Sequence, residues 1–273
     1  MARTMEKKAQ PRFRKQILIP AEHGSWSWLF VPYLVGVGVA GTYSLVEFLV
    51  LVAGLSVFLM RQPGMVWSRA RTGRGRRSDG PIAARLLAVL SLTAVLSLAG
   101  LLFLGITDIL WLTIPAVVIV VLYLAAAASR QTSVRILWME IVGAAGLALM
   151  APAVMIAADG RITAAAWSVF FLMAWQNVLS VFYVRQRIAD THQREGSRMP
   201  SLAGSVVGVT AVIAATALGY VPWLAVLPFL GFFLRALWTY QRPRPIPVIK
   251  KFGFTEVAVQ LISGFIIVLS YWI

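Results

Sequence analysis

The few side chains able to carry charge inside this sequence's apolar stretches are where any chemistry must lie. A charge in hydrocarbon costs at least ~2.5–3.5 kcal/mol on insertion scales, so each needs a reason. Glu22 and His23 stand just before the first apolar run, and Arg61 and Gln62 close the second. Glu140, Asn177 beside Gln176, Arg235, and Glu256 with Gln260 lie inside later runs, while Arg185, Arg187 and Asp190 follow the sixth. Arginine grips phosphate bidentately without a metal. Arg61, Arg185, Arg187 and Arg235, with the amides of Gln62 and Asn177, are therefore the candidate binders of an anionic head. Glu22, His23, Glu140 and Asp190 are the candidate acid–base partners, His23 because histidine alone titrates near neutral pH unperturbed.

Each candidate also has a purely structural reading. Arg61 and Arg235 can snorkel to headgroups. Glu140 can be a paired carboxylate, with Arg135 or an arginine of another helix. Asn177 can be an interhelical hydrogen bond, and Glu256 near a helix N-terminus is favoured by the dipole alone. Asp190, His192 and Glu195 have a spacing that could reach one metal, but an exposed loop of this kind is more often just solvated. The arginine-dense stretch 69–77, with interspersed Gly and Ser, reads for the most part as a flexible, solvated loop that fixes topology.

The elements that position these residues follow from composition. Of the 273 residues 59% are hydrophobic and 13% charged, too few polar groups for a soluble domain of this length. The apolar residues fall in long runs, not in alternation, which points to helices and away from a barrel. Nine runs are expected to span, at 24–40, 43–60, 86–104, 109–127, 136–157, 162–184, 202–219, 222–239 and 253–273. Most match the ~20 residues that cross ~30 Å of hydrocarbon. An error of one helix would fall on the fifth or sixth run. The fold class expected is all-α: a polytopic membrane helix bundle of nine transmembrane helices, residues 24–273, after a basic segment, 1–23. That segment lacks the apolar core and cleavage site of a secretory signal peptide.

All but two of the 25 Lys and Arg residues fall in the N-terminal segment and in the connections after runs 2, 4, 6 and 8. By the positive-inside rule these alternate segments are cytoplasmic, so the chain is a multi-pass cell-membrane protein with its N-terminus inside and its C-terminus outside. The formal charge of +15 is then assigned to topology and anionic lipid, with no nucleic-acid partner expected, because no nucleic-acid module is recognisable. The absence of cysteine excludes thiolate chemistry and disulfides. Gly204 and Gly208 form a GxxxG pair suited to close helix packing, and Gly36 with Ala40 and Ala144 with Ala148 are looser versions. The candidate residues lie in the cytoplasmic half, which predicts a polar cavity open to the cytoplasm and closed outside. Such a cavity would take an amphiphile, its anionic head near the arginines and its apolar tail between helices.

The segment Pro20-Ala21-Glu22-His23-Gly24-Ser25-Trp26, with Pro32, Gly36 and Arg61-Gln62-Pro63, resembles the YwiC-like membrane proteins, a family with no settled activity. The layout also resembles, more distantly, the UbiA prenyltransferase superfamily. Tyr183-Val184-Arg185-Gln186-Arg187-Ile188-Ala189-Asp190, followed by Arg198-Met199-Pro200, is similar to a degenerate form of that superfamily's second motif. The UbiA resemblance implies a UbiA-like fold, an isoprenoid or other anionic amphiphile as partner, and magnesium held by aspartates of two loops. Here the first site reads Arg61-Gln62-Pro63-Gly64-Met65-Val66-Trp67, with no carboxylate, and the second keeps Asp190 and, off register, Glu195. That is a poor two-magnesium site, and the metal remains unassigned. Three readings follow: a UbiA-like enzyme or lipid-binding protein, a secondary transporter using Glu140, Glu256 and Arg235, or a non-catalytic scaffold on anionic lipid.

Overall fold

The computed structural model describes residues 15–18, 23–129, 136–193 and 197–273. Every regular element among them is helical. A short α1 (Lys15–Leu18) precedes α2 (His23–Ala40), α3 (Leu45–Arg71), α4 (Gly80–Phe103), α5 (Ile109–Ala128), α6 (Leu137–Leu147), α7 (Met150–Asp159), α8 (Ala164–Thr191), α9 (Met199–Ala217), α10 (Val226–Gln241) and α11 (Ile249–Trp272). Eight segments are long and apolar enough to cross a membrane, α6 and α7 together making one, and the apolar helix Gly24–Ala40 is shorter. The protein is a multi-pass membrane helix bundle. The arginine-rich segments define what we call its basic end, where α3, α5, α8 and α10 finish and α2, α4, α6, α9 and α11 begin.

Local chemistry explains the boundaries. Glu47 at the third position of α3 accepts from the Ser44 N–H and hydroxyl, both at 2.6 Å, while the Ser44 hydroxyl caps Val46. This capping box buries Glu47 to 1% exposure at the far end. Gly41 ends α2 at φ +71°, a left-handed conformation that favours glycine, and the Trp272 indole donates to the Gly38 carbonyl beside it at 2.8 Å. Gly36 lets α2 lie against α7, since an added Cβ would come 2.6 Å from the Ala151 carbonyl oxygen.

The fifth apolar run is two helices. Pro152 has no N–H for the Ala148 carbonyl, which accepts from Ala151 instead. Ala148 and Leu149 donate to Ala145 and Gly146, three residues back, and the chain re-forms as α7. Two clusters make up most of the core among the described residues, beside a small one of Tyr123, Ala126 and Met139. One gathers α2, α3, α4, α5 and α7 around Leu29, Phe58, Leu101 and Val154. The other gathers α2, α7, α8, α9, α10 and α11 around Val35, Leu172, Phe229 and Ile267. Helices α2 and α7 stand between. Gly208 and Gly204 of α9 face Trp175, Leu179 and Phe182 of α8, where a Cβ at Gly208 would collide with the Trp175 indole nitrogen. The GxxxG pair therefore sets that contact.

Candidate functional site

An apolar cavity of ≈ 390 Å³ lies in the first part of the core, within the range of small-ligand sites. Its walls are α3, α4, α5, α6 and α7, with Leu29 of α2. Small residues make the room: Ala53, Gly54, Ala94, Ala116, Gly143 and Gly146. The lining carries one charge, Arg61, at the basic end of α3. Its guanidinium lies 4.8 Å from the Tyr123 ring centroid, a cation–π contact. Tyr123, 6% exposed, donates to the Met139 carbonyl at 2.8 Å, and Gly143 leaves the space its hydroxyl occupies. Next to Met139, Glu140 pairs with Arg185 of α8 at 2.7 Å. Arg61, Tyr123, Glu140 and Arg185 thus follow one another across α3, α5, α6 and α8 at the basic end. Gln62 follows Arg61 on α3 and is half-buried.

This differs from the polar cavity expected from the sequence. The hollow is apolar, and most of the polar candidates are spent on one another or on backbone. An unpaired polar group at membrane depth is costly, so packing turned those groups toward partners. Asn177 is 1% exposed and donates to the Ala144 carbonyl at 2.9 Å and the Trp28 carbonyl at 3.1 Å. The first of these carbonyls is one the α6–α7 break set free, so Asn177 satisfies the break and ties α8 to α2. Gln176 donates to the Gln260 carbonyl of α11 at 3.3 Å.

The remaining candidates form a separate cluster where α8, α10 and α11 meet. Arg235 binds both oxygens of Glu256 at 2.9 Å and stacks 3.8 Å from the Tyr183 centroid. Arg187 donates to the Tyr183 hydroxyl at 2.8 Å and the Arg244 carbonyl at 2.7 Å. Asp190 accepts from the Arg244 N–H at 2.8 Å and from Arg198 at 3.3 Å. Thr191 accepts from the Ile246 N–H at 2.8 Å. Together they pin the 242–248 connection onto the end of α8. Asp190 does not fit magnesium: both of its oxygens are engaged by donors and its neighbours are cations. Among the described residues no set of three His, Asp or Glu could hold a metal ion. Glu195 and Arg135 lie outside the described residues, as does Glu22, and His23 is the first residue of α2.

The stretch 69–77, expected for the most part to be a flexible, solvated loop, begins as the last turn of α3, is exposed from Arg71 to Arg77 and is tied down at Arg74. Arg74 donates to the Ala127 and Ser129 carbonyls and so caps α5, a favourable place for a cation. Sequence reasoning missed Tyr123 altogether. Its only signal was a hydroxyl within a run of valine, leucine and alanine.

The family model described as YwiC-like protein matches residues 19–155, half of the chain. That stretch contains every residue lining the cavity. No match is found among curated proteins or among solved structures.

Proposed function

The chain belongs to the YwiC-like protein family, and from that premise we propose that it binds an amphiphile with a phosphate head, tail in the apolar cavity and head at Arg61. The observation that carries this reading is a long apolar hollow whose lining holds a single charge at its basic end. Arg61 to Val50 along α3 is roughly 16 Å at 1.5 Å per residue, about the ~15 Å hydrocarbon depth of one leaflet. The head meets Arg61, with Arg185 reached across Tyr123 and Glu140. The basic end faces the cytoplasm, by the positive-inside rule. Binding is favoured over group transfer, because no carboxylate lines the cavity.

The test is native mass spectrometry of protein purified in mild detergent with phosphatidylglycerol or farnesyl phosphate. A charge-assisted hydrogen bond contributes ~1.5–3 kcal/mol, so Arg61→Glu is expected to weaken retention about tenfold or more. Lys251→Gln, at the exposed start of α11, is expected to bind as the wild type does. Equal retention by Arg61→Glu refutes the site.

Transport is the second reading, favoured by the mid-bundle break between α6 and α7 beside the buried amides of Asn177 and Gln176. Proton-coupled uptake into vesicles that is lost on Glu140→Gln would select it.

A further inference from the structure

Resting on the binding reading above, we infer that the cavity is loaded sideways from the bilayer, through a portal between α4 and α5, and that its ligand is a bilayer-resident lipid. Three lining residues are exposed: Val95 at 61%, Val117 at 54% and Val121 at 56%. The first is on α4 and the others on α5. Every other lining residue is buried or half-buried. The cavity therefore communicates with the outside of the bundle along one line.

The helix packing accounts for that line. Helix α4 packs along α3, and α5 packs on α3, α6 and α7, but α4 and α5 make little direct contact. They are held together at the far end, where the connection 104–108 is anchored by the Ile106 N–H on the Leu101 carbonyl. Asp108 there accepts from the Ile162 N–H at 2.9 Å, and Ile106 and Ile109 are buried. Toward the basic end Arg74, in the connection that leads into α4, holds the Ala127 and Ser129 carbonyls of α5, so the opening lies between two ties. Pro115 also leaves the Trp111 carbonyl without its helical donor at the level of the opening.

The chemistry of the rim names what passes. Three valines offer no hydrogen bond to a hydrated solute, yet in a bilayer they face acyl chains. A lipid already in the leaflet can slide its tail between them, while its phosphate stays at headgroup level beside Arg61. A water-soluble amphiphile would have to pass the basic end instead, where Arg61 lies against Tyr123 at the edge of the cavity.

The native chain has no cysteine, so introduced thiols are unique. A Val95→Cys/Val121→Cys protein, and a Val95→Cys/Val117→Cys protein as the second variant, are treated with a disulfide-containing bis-maleimide linker. Exchange of bound phosphatidylglycerol for chain-deuterated phosphatidylglycerol, supplied in mixed micelles, is followed by native mass spectrometry. Linking is expected to slow exchange at least tenfold relative to the unlinked double variant, and reductive cleavage of the linker to restore it. Equal exchange rates in linked and unlinked forms of both pairs overturn the portal while leaving binding intact. Wild-type protein that retains no phosphatidylglycerol and no farnesyl phosphate defeats the binding reading, and the portal falls with it.

Discussion

The Arg235–Glu256 pair offers a sharp energetic test, because its cost when broken follows from its position. Glu256 is seven residues into α11 and Arg235 six from the end of α10. At 1.5 Å per residue both lie roughly 10 Å inside the basic end, within the ~15 Å half-thickness of hydrocarbon. Their side chains are 10% and 16% exposed. A lone charge at this depth is penalised by nearly the ~2.5–3.5 kcal/mol of a central one. Arg235→Met strands the Glu256 carboxylate and is expected to cost about 3 kcal/mol. Glu256→Ala strands Arg235, but the Tyr183 ring at 3.8 Å still faces the guanidinium. That contact offsets about 1 kcal/mol, so this variant is expected to cost about 2 kcal/mol. Replacing a buried pair by apolar groups of similar volume is often neutral, so Arg235→Met/Glu256→Leu is expected within about 1 kcal/mol of wild type. The assay is reversible unfolding in dodecylmaltoside–SDS mixed micelles, read by circular dichroism. Single variants within about 0.5 kcal/mol of wild type, or a double variant as weak as the singles summed, would refute this account.

Two further outcomes follow from the packing. Asn177→Ala removes the bonds to Trp28 and Ala144, each worth ~0.6 kcal/mol on average in a membrane, and leaves a carbonyl freed by the helix break without its donor. A loss of about 1.5–2 kcal/mol is expected, with faster hydrogen exchange at the α6–α7 junction; unchanged exchange there would show that the break is satisfied otherwise. Arg74→Ala uncaps α5 and is expected to cost only about 0.5–1 kcal/mol. It should release the 72–79 segment to several-fold faster limited proteolysis, and an unchanged rate would mean that the docking does not hold the loop.

Helix existence was legible because a bilayer reads composition locally. Ile109–Ala128 was expected at 109–127 and the first span at 24–40, and both stand within a residue or so of those bounds. The hydrocarbon accepts or rejects each ~20-residue stretch on its own, so no knowledge of neighbours is required. The Gly204–Gly208 contact was legible for a similar reason, since close approach depends on the absence of a side chain. The fifth run, one of the two on which an error was expected to fall, holds the break, because Pro152 acts on the backbone wherever it sits.

Pairing was not legible. Glu140 was offered Arg135 or an arginine from elsewhere, and took Arg185, 45 positions on. Arg235 and Glu256 were grouped with Glu140 in the transport reading but not paired with each other, and Arg187, Asp190 and Arg61 were read as members of one site. Packing instead assigned Arg187 and Asp190 to the α10–α11 connection and left Arg61 with Tyr123 at an apolar cavity. Along the chain, a buried charge says only that it must find a partner. Which partner, and where the helices leave a hollow, depends on the crossing of elements far apart in sequence, and that is settled when side chains compete for the same interior.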